Sequence, residues 1–226
     1  MSAAPFTVVL LGGESTGKSQ LARTLREHLN AAHGLRGLVV AEHLRAWCEQ
    51  QGRAPAPNEQ AAIADTQTRH IAQGRATPGI QVLLADTSSV MVAAYGEQYF
   101  NDTSLWPQAL ADHAAAADLT LLMGLDLPWV PDGLCRDSPA ARQTTDAILR
   151  ARLEQAGIVY QTIYGAGEAR LQQALRTLGA AMGRPLVPQD PFWEQGRRRW
   201  NCEKCSDPEC EHRLFRDLIA QRQPPT

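Results

Sequence analysis

Phe6-Thr7-Val8-Val9-Leu10-Leu11-Gly12-Gly13-Glu14-Ser15-Thr16-Gly17-Lys18-Ser19 is the most informative segment of the chain. Six residues, apolar but for Thr7, run directly into a glycine-bounded loop ending in Lys and Ser. A helical pattern then starts at Lys18 and carries Leu21, Leu25 and Leu29. Strand, loop and helix in that order are the context a phosphate loop needs. A glycine-rich turn lets successive backbone N–H groups point at one phosphate, and the helix N-terminus adds partial positive charge at the same place. Residues Gly12, Gly13, Glu14, Ser15, Thr16, Gly17, Lys18 and Ser19 are therefore the expected nucleotide-binding set. Lys18 is expected to reach the β- and γ-phosphates, and the Ser19 hydroxyl to ligate Mg²⁺.

Working outward, apolar runs alternate with helical patterns to the end of the main domain. Leu38–Ala41 leads to Glu42. Two helical stretches follow, split by Gly52–Asn58, with Asn58 as the expected N-cap of the second. Ile80–Ala85 is a buried strand ending at Asp86. Helices are expected around 90–100 and 105–117, then a strand at 118–123. A polar loop with Pro128, Pro131 and Gly133 leads to a helix at 139–156 opened by Pro139. A last strand at 158–163 and a helix at 167–182 complete the pattern. Such alternation predicts an α/β P-loop fold: a five-stranded parallel sheet with helices on both faces. Ligands in such sheets bind at the carboxyl ends of strands, where the phosphate loop, Glu42 and Asp86 all fall.

The chain has 226 residues, enough for one sizeable core and a small appendage. The expected division is a domain over 1–183 and a linker with a small tail over 184–226. Hydrophobic residues make up 44%, charged residues 20%, and the formal net charge is −2, which argues against bulk attraction to nucleic acid or anionic lipid. No apolar run approaches membrane-spanning length and no signal-peptide pattern opens the chain, so a cytoplasmic location is expected. An Asn-Lys-x-Asp guanine motif is absent. These features favour a small phosphotransferase.

Further motifs narrow the class. Pro128-Trp129-Val130-Pro131-Asp132-Gly133-Leu134 is similar to the Pro-Trp-Val-x-Asp-Gly-Leu-Arg segment of the NadR-family nicotinamide riboside kinase domain. The phosphate loop resembles that family's, including its Glu-Ser-Thr core. Glu42-His43-Leu44-Arg45-Ala46-Trp47 sits where the family has Glu-Tyr-x-Arg-Glu-Tyr, and Asp86-Thr87-Ser88 where it has Asp-Thr-Asp. The resemblance covers roughly residues 6–180. Departures are Ser88 in place of an acid, Cys135 inserted before Arg136, and His43, Ala46 and Trp47.

The resemblance implies transfer of the ATP γ-phosphoryl group to the 5′-hydroxyl of nicotinamide riboside. Another small riboside as acceptor, or a nucleotide-sensing binding module, is the alternative. Asp86 is the expected Mg²⁺ residue, through water, with a plain helix N-cap as the competing role. Glu42 is the candidate proton acceptor, or else a structural partner of Arg45, itself a candidate substrate contact. Trp129 is the candidate anchor for a cationic pyridinium ring, or a core residue under the loop. Asp132 is a candidate ribose contact. Arg136 and Arg142 flank a possible lid and are candidates for steadying the transferring phosphoryl, with a solvated surface position as the ordinary expectation for each.

Cys202, Cys205, Cys210 and His212 form a separate signal near the C-terminus. Three thiolates and an imidazole make a closed tetrahedral Zn²⁺ site of the structural type. An iron–sulfur cluster or free thiols are the alternatives. Arg197-Arg198-Arg199-Trp200 is basic and aromatic, but the acidic residues of the same tail argue against a nucleic-acid partner. The expected partners are ATP and a small riboside.

Overall fold

Strand β1 (Phe6–Leu11) lies at the centre of the sheet. It comes from a computed structural model that describes residues 4–130 and 138–187. Around it run β2 (Gly37–Val40), β3 (Val82–Asp86), β4 (Leu119–Met123) and β5 (Gln161–Ile163) in the order β2-β3-β1-β4-β5. Every pairing is parallel. The helices are α1 (Lys18–His33), α2 (His43–Gln51), α3 (Gln60–Arg75), α4 (Ser89–Phe100), α5 (Trp106–Ala116), α6 (Pro139–Gln155) and α7 (Gly167–Ala181).

The apolar strands have no solvent face, because alternate residues enter two cores. Val8, Leu10, Val82, Leu84, Leu121, Met123 and Ile163 pack with α1 and α7 on one side. Val9, Leu11, Leu83, Ala85 and Leu122 pack with α3, α4, α5 and α6 on the other. Full burial of each such aliphatic side chain contributes about 1.5–3 kcal/mol, so continuous apolar runs at period 2 hold the sheet from both faces. Helix α1 places Leu21, Leu25 and Leu29 on one stripe. It closes where Leu35 N donates to Leu29 O at 3.0 Å across the left-handed Gly34. At Gly74, α3 crosses β2 and β3 so closely that a Cβ would meet Leu83 Cδ1 at 2.7 Å.

Two local expectations are corrected. Asn58 does not cap α3; it lies inside a single 3₁₀ turn, Pro57–Glu59. The Glu59 carboxylate there accepts from Ala56 N at 2.7 Å and pairs with Arg53, which settles the turn before the helix begins. The last strand is shorter than its apolar pattern, because Val159 is 77% exposed and pairing with β4 starts only at Gln161. Tyr160 is instead buried in the core beside α6.

The consequence for function is geometric. Register pairs Leu10 with both Asp86 and Leu121, so the strands end together on one edge. The phosphate loop leaves that edge centrally. Glu42 and Asp86 follow on the β2–β3 side, and the loops after β4 and β5 occupy the other side. No described helix is long and apolar enough to cross a membrane.

Candidate active site

The phosphate loop needs three residues with positive φ: Gly12 at 142°, Ser15 at 55° and Gly17 at 80°. A Cβ on Gly12 would touch Met123 Cβ at 3.0 Å and Thr16 Oγ1 at 3.1 Å, so both backbone and space demand glycine there. Thr16 Oγ1 donates to Gly13 O at 2.7 Å and closes the curl. The Lys18 ammonium folds back inside it, donating to Gly12 O at 2.7 Å and Gly13 O at 3.1 Å. Gly17, the residue before α1, carries no side-chain cap, and the first turn of α1 has no acidic residue. Its leading N–H groups therefore face the loop with no carboxylate in their own turn, which suits a polyanion. Ser19 sits half-buried on this same turn.

Asp86 ends β3 beside β1 and is 4% exposed. Its Oδ1 is buried with no hydrogen-bond partner among the described residues. The alternative role, an N-cap for α4, belongs to Ser88, whose Oγ accepts from Val90 N. A buried, unpaired carboxylate oxygen beside a phosphate loop is an oxygen donor of the kind a hard cation takes. Thr87, next in the chain, holds φ 84°, a strained position for a β-branched residue.

Glu42 ends the β2 segment. Burial raises its carboxyl above the ordinary carboxylate range; Lys18 and Arg45 pull it back down and Asp86 pushes it further up. Two carboxylates and one ammonium thus share the edge next to the phosphate loop. Arg45 is exposed on α2 and pairs with Glu49 at 3.1 Å one turn on, acting on Glu42 through charge. Trp47, where the resemblance suggested a tyrosine, packs against Ile63 and Val92 with the Arg53 guanidinium 4.9 Å from its ring. It is a packing residue.

Beyond β4, Val130 and Ser15 are bonded twice: Ser15 Oγ donates to Val130 O at 2.9 Å and accepts from Val130 N at 3.2 Å. This holds Trp129 next to the phosphate loop, half-buried, with its indole N–H buried and unpaired among the described residues. Asp132, Cys135 and Arg136 lie outside the described residues, as do Cys202, Cys205, Cys210 and His212. Among the described residues no group of His, Cys, Asp and Glu is placed to hold a metal by itself.

Arg142 is a correction. It is 8% exposed, not a solvated surface residue. From the first turns of α6 its Nη1 donates to Leu127 O at 2.8 Å, and its stem lies against Gly13, where a Cβ would meet Arg142 Cγ at 3.0 Å.

The parallel sheet, the phosphate loop after its central strand and the acid at the end of the neighbouring strand coincide with a family model. The model for the AAA domain matches residues 7–170. The chain belongs to the AAA domain family.

Among solved structures, this AAA domain is similar to the NadR protein in complex with NR, at TM-score 0.69 and 18% identity, over 82% of this chain and 54% of that one. It is similar to the NadR protein in complex with NAD and AMP-PNP at TM-score 0.66 and 18% identity, over 82% of this chain and 52% of that one. The chain spans about half the length of those NadR structures. Thymidylate kinase from Ehrlichia chaffeensis matches at TM-score 0.58 and 12% identity, over 78% of this chain and 100% of that one. At these identities the shared property is the fold. No curated protein sequence matches.

Three groups at this AAA-domain edge escaped the reading of the sequence. Gln67, 1% exposed on α3, accepts from His43 N at 2.7 Å and donates to Thr87 O at 3.4 Å, tying the Glu42 segment to the Asp86 segment. His113 bridges Ser88 Oγ at 3.0 Å and Thr120 Oγ1 at 2.8 Å. Arg170 donates to Thr16 O at 2.5 Å. Gln67 and Arg170 each occupy a place in an apolar helical stripe, between Ile63 and Ile71 and before Leu171 and Ala174. A polar residue in the buried phase of a helix was the available signal.

Proposed function

We propose that this chain is an ATP-dependent phosphotransferase that phosphorylates the 5′-hydroxyl of a riboside, with nicotinamide riboside as the first candidate. The observation that carries the reading is the pair of carboxylates, Asp86 with an unpaired buried oxygen and Glu42 with a raised pKa, beside Lys18 of the phosphate loop. A carboxylate placed to take a proton at that edge is what transfer to a hydroxyl acceptor calls for. Likeness to NadR structures solved with NR and with AMP-PNP supports the choice of acceptor and donor.

In the proposed reaction the riboside O5′ attacks the γ-phosphorus, the bond from γ-phosphorus to the bridging oxygen of ADP breaks, and the hydroxyl proton passes to Glu42. The products are the riboside 5′-phosphate and ADP. Lys18 and the backbone N–H groups of residues 12–19 hold the phosphates, and the work is positioning and charge stabilisation. Ser19 and Asp86 are the residues that would hold Mg²⁺, which when bound supplies charge neutralisation on the phosphate oxygens. The raised pKa of Glu42 makes it a better proton acceptor than an ordinary carboxylate. Trp129, held by the Ser15–Val130 bonds, is the proposed stacking surface for the acceptor's cationic ring, with Asp132 as a ribose contact and Arg136 on the transferring group.

The organisation that goes with this reading is a kinase domain over 1–183 and a zinc-holding tail over 184–226. Zinc rests on the spacing of Cys202, Cys205, Cys210 and His212. Elemental analysis should find about one zinc per chain, lost in Cys205→Ser; iron in its place identifies a cluster, and no metal ends the assignment.

A panel of ribosides with ATP and Mg²⁺, scored for phosphorylated product, tests the main reading. Nicotinamide mononucleotide formed by the wild type and abolished in Lys18→Ala is the expected result. Product from a different riboside keeps the reaction and changes the acceptor. ATP binding with no riboside phosphorylated overturns the kinase reading.

A further inference from the structure

Arg170 sits in the first turn of α7, 4% exposed, beneath the floor of the phosphate loop. Its Nη1 donates to Thr16 O at 2.5 Å, and its Nη2 donates to Asp126 Oδ1 at 3.0 Å. The other oxygen of Asp126 accepts from Gly165 N at 2.6 Å. One ion pair therefore joins the phosphate-loop turn, the loop after β4 and the loop after β5. The fit is close: a Cβ on Gly17 would meet Arg170 Nη1 at 3.0 Å and Leu127 Cδ1 at 3.1 Å.

Packing alone does not account for an arginine here. The stripe it shares with Leu171, Ala174, Leu175 and Leu178 is a core stripe, and an apolar residue would serve it. A buried charge is costly unless paired, and such pairs are weak evidence for stability. What the guanidinium does contribute is direction. It fixes a carbonyl at the turn where the loop passes into α1. It also places positive charge behind the surface that faces phosphate.

We infer that Arg170 and Asp126 form a positioning pair for the nucleotide half of the site. Arg170 holds the Thr16–Gly17 turn in its phosphate-binding shape. Asp126 anchors Arg170 and ties that turn to the chain after β5. Arg170 bonds Thr16 O of the phosphate loop directly, so its loss falls first on the donor phosphates. The inference rests on the nucleotide part of the proposed function and is independent of which riboside is used.

The test is calorimetric titration of the full chain with ATP and, separately, with inorganic tripolyphosphate. Arg170→Met should weaken both by about tenfold or more, as expected for loss of a charge-assisted bond that shapes the site. Arg170→Lys should recover part of the loss, because one donor to Thr16 O returns. Asp126→Asn should fall between wild type and Arg170→Met. The double variant should be no worse than Arg170→Met, since both act through one contact. Where a riboside turns over, the KM for ATP should rise in Arg170→Met. Wild-type affinity for both ligands in Arg170→Met overturns the inference, whatever happens to its melting temperature; so do additive losses in the double variant. If Arg170→Met does not fold, the exposed Asp126→Asn decides, and unchanged ATP affinity in it overturns the inference. Neither titration needs an acceptor, so a wild type that binds ATP but phosphorylates no riboside removes the kinase reading and leaves this test intact.

Discussion

His113 should make this protein lose stability as the pH falls from 6.5 towards 4. The imidazole is 1% exposed and hydrogen-bonded at both nitrogens, to Ser88 Oγ and Thr120 Oγ1. Burial lowers its pKa from 6.5 to about 4. The folded state therefore keeps a neutral ring where the unfolded chain would bind a proton. The sign follows: the contribution is fully present above pH 6.5 and is lost as pH falls through 4. Linkage gives about 2 kcal/mol lost by pH 5, and about 3 kcal/mol once both states are protonated. A loss of about 2 kcal/mol is a large part of a typical domain's stability. The neutral ring also suits the network. With Nε2–H donating to Thr120, Nδ1 is left to accept from Ser88, which in turn caps α4 directly after Asp86 and Thr87. The assay is urea unfolding at pH 7, 6 and 5 of wild type and His113→Gln. Gln cannot titrate, so the wild type should lose about 2 kcal/mol more than the variant between pH 7 and 5. Parallel pH profiles for the two proteins would refute the reasoning. A His113 imidazole resonance titrating near 6.5 in the folded protein would refute it as well.

Three further outcomes are expected. Glu42→Gln should lower kcat by about 10²–10⁴ with the ATP KM little changed, and should remove an acidic limb whose midpoint in the wild type lies above the ordinary carboxylate value; a pH–rate series on both proteins checks this. Trp129→Ala should raise the riboside KM by about two- to thirtyfold, the loss of a cation–π contact worth about 0.5–2 kcal/mol, while ATP affinity stays put. Glu97→Ala should cost about 2–3 kcal/mol in a denaturant melt, because this one carboxylate takes Trp106 Nε1 at 2.6 Å and Arg152 at 2.8 Å and so clamps α4, α5 and α6 together.

Much of the architecture could be read from residues 6–29 and from the strand endings. Phe6–Leu11 is apolar at every position except Thr7 because helices cover both faces, and continuous apolar character followed by Gly12–Ser19 leaves few other folds open. Glu42 and Asp86 were visible because a charged residue directly after a buried strand must emerge at the sheet edge. Local chemistry was less legible at Asn58, where the Arg53–Glu59 pair replaced the expected cap, and at Val159, where the apolar pattern ran past the true strand. In the first place a contact between side chains decided the outcome, and in the second the reach of the pairing with β4 did.

The order of apolar and polar residues along the chain was sufficient for the parallel sheet, the phosphate loop and the edge on which the carboxylates gather. Those features depend on periodicity and on backbone freedom at Gly12 and Gly17, which are local properties. What surrounds that edge depends on long-range packing. Gln67 lies 20 residues before Thr87, His113 lies 25 after Ser88, and Arg170 lies 154 after Thr16. The pKa of Glu42 likewise depends on Lys18 and Asp86, which folding alone brings beside it. Electrostatic and hydrogen-bond partners are chosen by distance in space, and distance in space is what a sequence does not carry.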